Sequence, residues 1–240
     1  MLRNLGLSIM LILLLLTATG CWSRMELNDI AIVVALGIDK KDGQYSVSVQ
    51  LVNPSEVSGK KTGGGKGAPV VTHVASDATM FEAIRKMTTN APRRLYFSHL
   101  RMLILSEQVA KEGVAKALDL LSRDHEFRSD FYIAVAKGAP AERILEIYTA
   151  PMETIPANKM YKALDTSSKI WAYSGKVTLD ELISDMLRVG RQPVLTGIEI
   201  VGQRNGAARS QQNMERIKPY SVLQFSNLAV YLIKISWPDG

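Results

Sequence analysis

Residues 30–52 read IAIVVALGIDKKDGQYSVSVQLV, and this stretch decides the fold. Ile30 to Ile38 is an unbroken apolar run. A run of that length bounded by turn residues fits a strand buried on both faces. Asp39 to Gly43 forms a turn, and Asp42-Gly43 is the pair that tolerates positive φ in a two-residue hairpin. From Tyr45 to Val52 the pattern changes to strict alternation. Tyr45, Val47, Val49 and Leu51 fall on one face, and Ser46, Ser48 and Gln50 on the other. The second strand is expected to pair antiparallel with the first and to keep one face wet.

Working outward, Pro69 to Ser76 reads as a third strand. Thr79-Met-Phe-Glu82 is a capping box that opens a helix, with Phe81, Ile84, Met87 and Thr88 on one side. Ser98 to Leu105 is expected to be a strand, and Glu112 to Arg123 a helix burying Val114, Leu118 and Leu121. Asp130 to Ala136 is a strand, and Pro140 precedes a short helix over Ala141 to Tyr148. Met152 to Leu164 reads as a helix interrupted by Pro156. Thr178-Leu-Asp-Glu181 is a second capping box, with its helix running to Leu187. Gln192 to Val201 and Leu228 to Ile235 are the last strands, separated by the polar segment Gly202 to Arg216. Strands and helices mix without strict βαβ alternation. The expected class is α+β, a mixed, mainly antiparallel sheet with packed helices.

The chain has 240 residues with 47% apolar and 22% charged side chains, which excludes global disorder and allows a sizeable core. A single cysteine excludes an internal disulfide framework and any multi-cysteine metal site. The balance of 29 basic against 23 acidic residues permits contact with an anionic surface but does not predict nucleic-acid binding.

The first twenty residues stand apart. Arg3 supplies a positive start, Leu7 to Leu16 is almost wholly apolar, and Thr17, Ala18, Thr19 and Gly20 are small. This is the layout of a secretory signal peptide. Cys21 follows at once, as a lipoprotein signal peptidase requires. Ala18 stands where such sites most often carry Leu. The thiol would take a diacylglyceryl group, and cleavage would leave Cys21 first in the mature chain. Two or more acyl chains suffice for stable attachment, at about 0.8 kcal/mol per buried CH₂. The alternative is an ordinary signal peptide or a short membrane anchor with an incidental cysteine.

No catalytic constellation emerges. His73, His99 and His125 lack ligand spacing, and there is no HExxH or G-x-S-x-G motif. Asp124-His125-Glu126 reads as a charged helix end. Pro54 to Ala68 contains Gly65-Lys66, but Lys60 stands where the first Walker glycine belongs and Gly67 where Ser or Thr belongs. No catalytic residue, cofactor or metal is expected. The arginines of Pro92-Arg93-Arg94-Leu95-Tyr96, with Arg101, Arg123 and Arg128, either form a cationic patch or pair with Asp119, Asp124 and Glu126 to pin helices to the sheet.

Cys21-Trp22-Ser23-Arg24-Met25-Glu26-Leu27-Asn28-Asp29 resembles the start of mature Ger(x)C spore germination lipoproteins, apart from Ser23 in place of the usual Asp. Gly37-Ile38-Asp39, Gln50-Leu51-Val52-Asn53-Pro54, Pro92-Arg93-Arg94-Leu95-Tyr96 with Ser98-His99, and Leu118-Asp119 with Arg123-Asp124 and Arg128 are similar in order and spacing. The resemblance implies the C subunit of a nutrient germinant receptor in endospore formers. Such a subunit is non-enzymatic and sits on the outer face of the spore inner membrane, beside integral A and B subunits. Family members are longer than this chain. Leu228-Ala229-Val230-Tyr231 matches the start of their further C-terminal domain, and the pattern is lost from Leu232 to Gly240. The expected organisation is a signal peptide over residues 1–20, an N-terminal α+β domain over 21–201, and a linker with a truncated domain start over 202–240. The expected partners are the A and B subunits, and membrane lipid through acylated Cys21, with no nucleic acid. The rival readings are a lipid-anchored solute-binding protein that captures the germinant, and a non-functional remnant.

Overall fold

The computed structural model describes residues 1, 3–8, 10, 29–57, 67–91, 93–147, 153–171, 173–202 and 221–229. The chain divides into two units, Met1–Ile30 and Ala31–Gly240. In the first, residues 3–8 are helical and exposed; Cys21 lies outside the described residues. Among those residues, no helix is long and apolar enough to cross a membrane.

In the second unit, strand β1 (Ile30–Lys41) and strand β2 (Gln44–Val52) form the expected hairpin. Asp42 and Gly43 have φ of 52° and 80°, so both central residues of the turn are left-handed, as a hairpin with the strand twist requires. A register shift between Val33 and Ala35 inserts one extra residue into β1. Val33, Leu36 and Ile38 therefore face one core, while Val34 and Ala35 face the other.

The remaining elements are helix α1 (Pro54–Val57), β3 (Val70–Asp77), α2 (Met80–Asn90), β4 (Arg94–Tyr96), β5 (Met102–Ser106), α3 (Glu107–Glu112), α4 (Ala115–Arg123), β6 (Tyr132–Lys137), α5 (Ala141–Leu145), α6 (Pro156–Ile170), α7 (Leu179–Leu187), β7 (Leu195–Gly202) and β8 (Ser221–Ala229). The eight-stranded sheet runs β3-β2-β1-β5-β6-β7-β8, with β4 also on β1. The mixed α+β class is as expected. β1, β5, β6 and β7 are mutually parallel at the centre, and β3-β2-β1 and β7-β8 pair antiparallel on the flanks.

Helices cover both faces, so the central strands must be apolar on both sides. Leu103, Leu105, Ile133 and Val135 face a core closed by α2, α3, α4 and α7. Met102, Ile104, Ala134 and Ala136 face a core closed by α5 and α6. This second layer overturns the wet face expected on β2. Ser48 and Gln50 are 1% and 0% exposed. Gln50 is satisfied rather than solvated. Its Nε2 donates to the Leu145 carbonyl at 2.9 Å, and its Oε1 accepts from the Ala157 N–H at 3.3 Å. One polar side chain thus latches both α5 and α6 to the sheet.

Several boundaries differ from the sequence reading. α2 starts at the expected capping box, in which the Glu82 N–H donates to Thr79 Oγ1 at 3.2 Å and the Thr79 N–H donates to Glu82 Oε2 at 3.1 Å. It buries Met80, Ala83 and Met87, however, and leaves Phe81 outside under the guanidinium of Arg85. The helix expected over Glu112 to Arg123 is α4, which starts at Ala115 after Gly113 (φ 125°), and a short helix that was not expected, α3, precedes that glycine. Pro156 occupies the first turn of α6 instead of interrupting it, where its missing N–H is not needed. The last strand lies at Ser221–Ala229, ahead of the expected Leu228–Ile235. The segment 203–220 and the residues beyond 229 lie outside the described residues.

Candidate functional site

Because β1, β5 and β6 run parallel, their carboxyl ends share one edge of the sheet, and their amino ends share the opposite edge. The carboxyl edge opens into a cleft of about 530 Å³. Asp39, Lys40 and Lys41 at the end of β1, Ser106 and Glu107 at the end of β5, and Gly138, Pro140 and Glu142 after β6 line it. Crevices at the carboxyl ends of parallel strands are common ligand sites.

Here the acidic groups are turned to structural work. Asp39 Oδ1 accepts from the Ala141 N–H at 2.8 Å and Oδ2 from the Glu142 N–H at 2.9 Å, so a residue of β1 caps a helix about a hundred positions later. Burial pushes the Asp39 carboxyl above its ordinary range, against the pull of those two N–H groups. Glu142 is raised by burial first, then by the charges of Glu146 and Asp39. Glu107 accepts from Lys111 at 2.8 Å and from the Gly138 N–H at 3.1 Å, and these bonds hold its carboxyl low. Lys40 pairs with Glu112, which raises the lysine.

The amino edge is built differently. Tyr132 and Tyr161 stack at 4.3 Å with rings 4° apart. The Arg101 guanidinium lies 5.2 Å from the Tyr161 centroid, and Lys176 Nζ 5.6 Å from that of Tyr132. Asp165 accepts from Lys169 at 2.6 Å and Lys176 at 2.8 Å, which holds its carboxyl down at about 2. The Tyr132 hydroxyl donates to Asp165 at 3.3 Å, and burial together with Tyr161 pushes it up to about 12. Beyond Lys169 the chain presents Ile170, Trp171 and Tyr173, which are 80%, 66% and 37% exposed, with the two rings stacked at 4.8 Å.

The residues singled out by sequence do not converge. His73 sits in β3 opposite Val49, His99 in the turn before β5, and His125 after α4. No group of three His, Cys, Asp or Glu side chains is placed to hold a metal among the described residues. Asp124-His125-Glu126 is the charged helix end expected of it, with Asp124 accepting from the Glu126 N–H at 2.9 Å. Most of the arginine patch is paired: Arg94 with Glu126, Arg123 with Asp119 at 2.7 Å, and Arg128 with Asp130 at 3.0 Å. Residues 58–66, which carry the Gly-Lys loop, and the lipid-attachment candidate Cys21 lie outside the described residues. Sequence reading missed Asp39, taken as a turn residue, and the Tyr132–Tyr161–Asp165 group, which is assembled over a long separation with no local signal.

A sequence model described as the spore germination protein N-terminal domain matches residues 23–200. The chain belongs to this family. It is 34% identical over 235 residues to spore germination protein KC of Bacillus subtilis (strain 168), an alignment covering 96% of this chain and 57% of that protein. It is 25% identical over 172 residues to spore germination protein A3 of the same organism, covering 70% of the chain and 44% of that protein. With spore germination protein YndF the identity is 24% over 208 residues, covering 77% and 51%. The chain thus spans about half the length of the curated relatives it matches. No solved structure matches it. The family expected from the Cys21–Asp29 segment and the Pro92–Tyr96 motif is therefore the family found.

Proposed function

We propose that the chain serves spore germination as the membrane-anchored lipoprotein subunit of a nutrient germinant receptor, acting by contacts with the integral membrane A and B subunits. The observation that carries this reading is the family match over residues 23–200, which starts two residues after the one cysteine of the chain. Acylated Cys21 would hold the α+β domain against the outer face of the spore inner membrane. In this reading the domain is a scaffold and carries out no chemistry. The test is recovery of the chain from spore inner membranes, wild type against Cys21→Ala. Integral membrane subunits should co-purify with the wild type and drop out with the variant. A membrane-bound wild type that brings down no receptor subunit ends the receptor reading.

A second reading has one observation in its favour. The cleft beside Asp39 and Glu142 is large enough for an amino acid or a sugar. Equilibrium dialysis of the purified chain with labelled germinants tests it. Saturable binding lost in a Glu142→Gln chain would make this protein the solute-capturing element.

A further inference from the structure

The amino edge of the sheet carries features the scaffold reading does not use. Ile170, Trp171 and Tyr173 form an exposed apolar and aromatic cluster at the end of α6. Exposure of two stacked aromatic rings beside an isoleucine is costly in water unless something covers them. The cations next to them are Lys169 and Lys176, whose side chains remain 63% and 39% exposed, and Arg101 on the neighbouring tyrosine pair. One carboxylate, Asp165, answers both lysines. The strip therefore keeps an excess of positive charge around an aromatic centre. Tryptophan and tyrosine with flanking lysines are the side chains that settle at the headgroup level of a bilayer, where one end of the ring is apolar and the other wet.

The topology places this strip on the side from which the tether comes. Ala35, Met102 and Tyr132 are in register across β1, β5 and β6, and the Arg101 N–H donates to the Val34 carbonyl at 2.9 Å. The chain thus enters β1 at the same edge as Arg101 and Tyr132. The loop carrying Tyr173 and Lys176 runs along that edge, since the Gly175 N–H donates to Thr196 Oγ1 at 2.9 Å and the Ile133 N–H to the Val177 carbonyl at 3.0 Å. Ten chain steps, with nine residues between, separate Cys21 from Ala31. Fully extended they reach roughly 35 Å at most. The tether to Cys21 therefore joins the domain at this edge and not at the cleft.

We propose that the amino edge of the sheet is a bilayer-docking surface. Trp171 and Tyr173 seat among the headgroups of an anionic membrane, and Lys169, Lys176 and Arg101 meet the lipid phosphates. The surface extends the anchored reading given above, on which it rests, by fixing which side of the domain faces the lipid. The cleft then faces away from the bilayer.

The test uses the full chain, purified from membranes and reconstituted into vesicles. The chain has three tryptophans, so Trp22→Phe with Trp237→Phe leaves Trp171 as the reporter. Flotation reads attachment, and quenching of Trp171 by lipids brominated along the acyl chain reads docking. With phosphatidylglycerol vesicles, Trp171 emission should shift to the blue and lose at least half its intensity. The loss should shrink with phosphatidylcholine, with Lys169→Ala plus Lys176→Ala, and at 1 M salt, where the screening length falls from about 10 Å to about 3 Å. A chain that floats while Trp171 stays unquenched overturns the docking and leaves the anchor standing. A Cys21→Ser chain that floats as well as its parent overturns the acyl anchor, and quenched Trp171 in that chain still supports the docking. Quenching indifferent to lipid charge and to salt overturns the anionic headgroup as the occupant. A chain that does not float overturns both.

Discussion

The two ends of the parallel strands handle charge in opposite ways. At the carboxyl end, acidic groups turn inward: Asp39 closes the start of α5 and Glu107 the turn at Gly138. At the amino end, Asp165 stays at the surface and gathers Lys169, Lys176 and the Tyr132 hydroxyl around it. The first arrangement satisfies backbone donors where the helix begins and leaves few free polar groups for a ligand. The second leaves cations and aromatic rings on display. A cleft is therefore weaker grounds for a binding site when its polar groups already serve the fold. An edge that exposes stacked aromatic rings beside cations is stronger grounds, even without a cavity.

Substitutions at the shared centre should damage both ends together. Ile104 is fully buried between β1 and β6. Ile104→Ala should destabilise the domain by about 2–5 kcal/mol, lowering the thermal midpoint by roughly 5–15 °C at this size. Calorimetry checks it; a change under about 1 kcal/mol would show that the layers are not one cooperative unit. Gly37→Val belongs in the same class. A Cβ there would meet Ser48 Oγ at 2.3 Å and both Ala141 Cβ and Leu145 Cδ1 at 3.2 Å, so the α5 side would have to move.

Gln50→Leu separates the layers more finely. It keeps the size of the side chain but leaves the Ala157 N–H without its side-chain partner and the Leu145 carbonyl with only the Thr72 hydroxyl at 3.4 Å. The expected loss is about 1–3 kcal/mol. Hydrogen exchange should quicken in α5 and α6 ahead of α2 and α4. Uniform acceleration would deny the glutamine its role as a latch. Tyr132→Phe is milder still. It removes the bond to Asp165 and keeps the ring stack, for an expected loss of about 1 kcal/mol.

The local parts of this architecture were legible in the sequence. The Asp42-Gly43 turn and the Thr79 and Thr178 boxes are decided by residues within four positions of each other, and the structure places all three as read. Errors arose where distant chain decides. Gln50 looks solvent-facing because alternation reports only that it opposes Val49, not that α5 and α6 will cover it. Phe81 looks buried because it is large, yet the smaller Met80 and Ala83 are the residues that the helix buries. The parallel centre was missed because strand direction follows from the crossovers, and no local signal encodes them. The tyrosine pair spans about thirty residues, and only the folded sheet brings Tyr132 beneath Tyr161.

Acid titration should act with opposite sign at the two ends, and this is the smallest effect and the sharpest comparison. Asp39 and Glu142 have raised pKa values, so the folded chain holds their protons more tightly than the unfolded chain does. Their contribution to stability is fullest below the ordinary carboxylate range and is lost as pH rises through the raised values. Asp165, at about 2 against an ordinary 3.8, contributes stability above 3.8 that is lost as pH falls toward 2. Urea midpoints at about pH 5 and about pH 2.5 separate the two. On acidification the wild-type advantage over Asp165→Asn should shrink, whereas that over Asp39→Asn should grow. Both changes are modest, because Asp165 is only partly buried and screened by water, and Asp39 is partly offset by its two N–H partners. Slopes of the same sign would mean that the ends are not electrostatically distinct, and the case for one edge facing lipid and the other facing away would lose its charge argument.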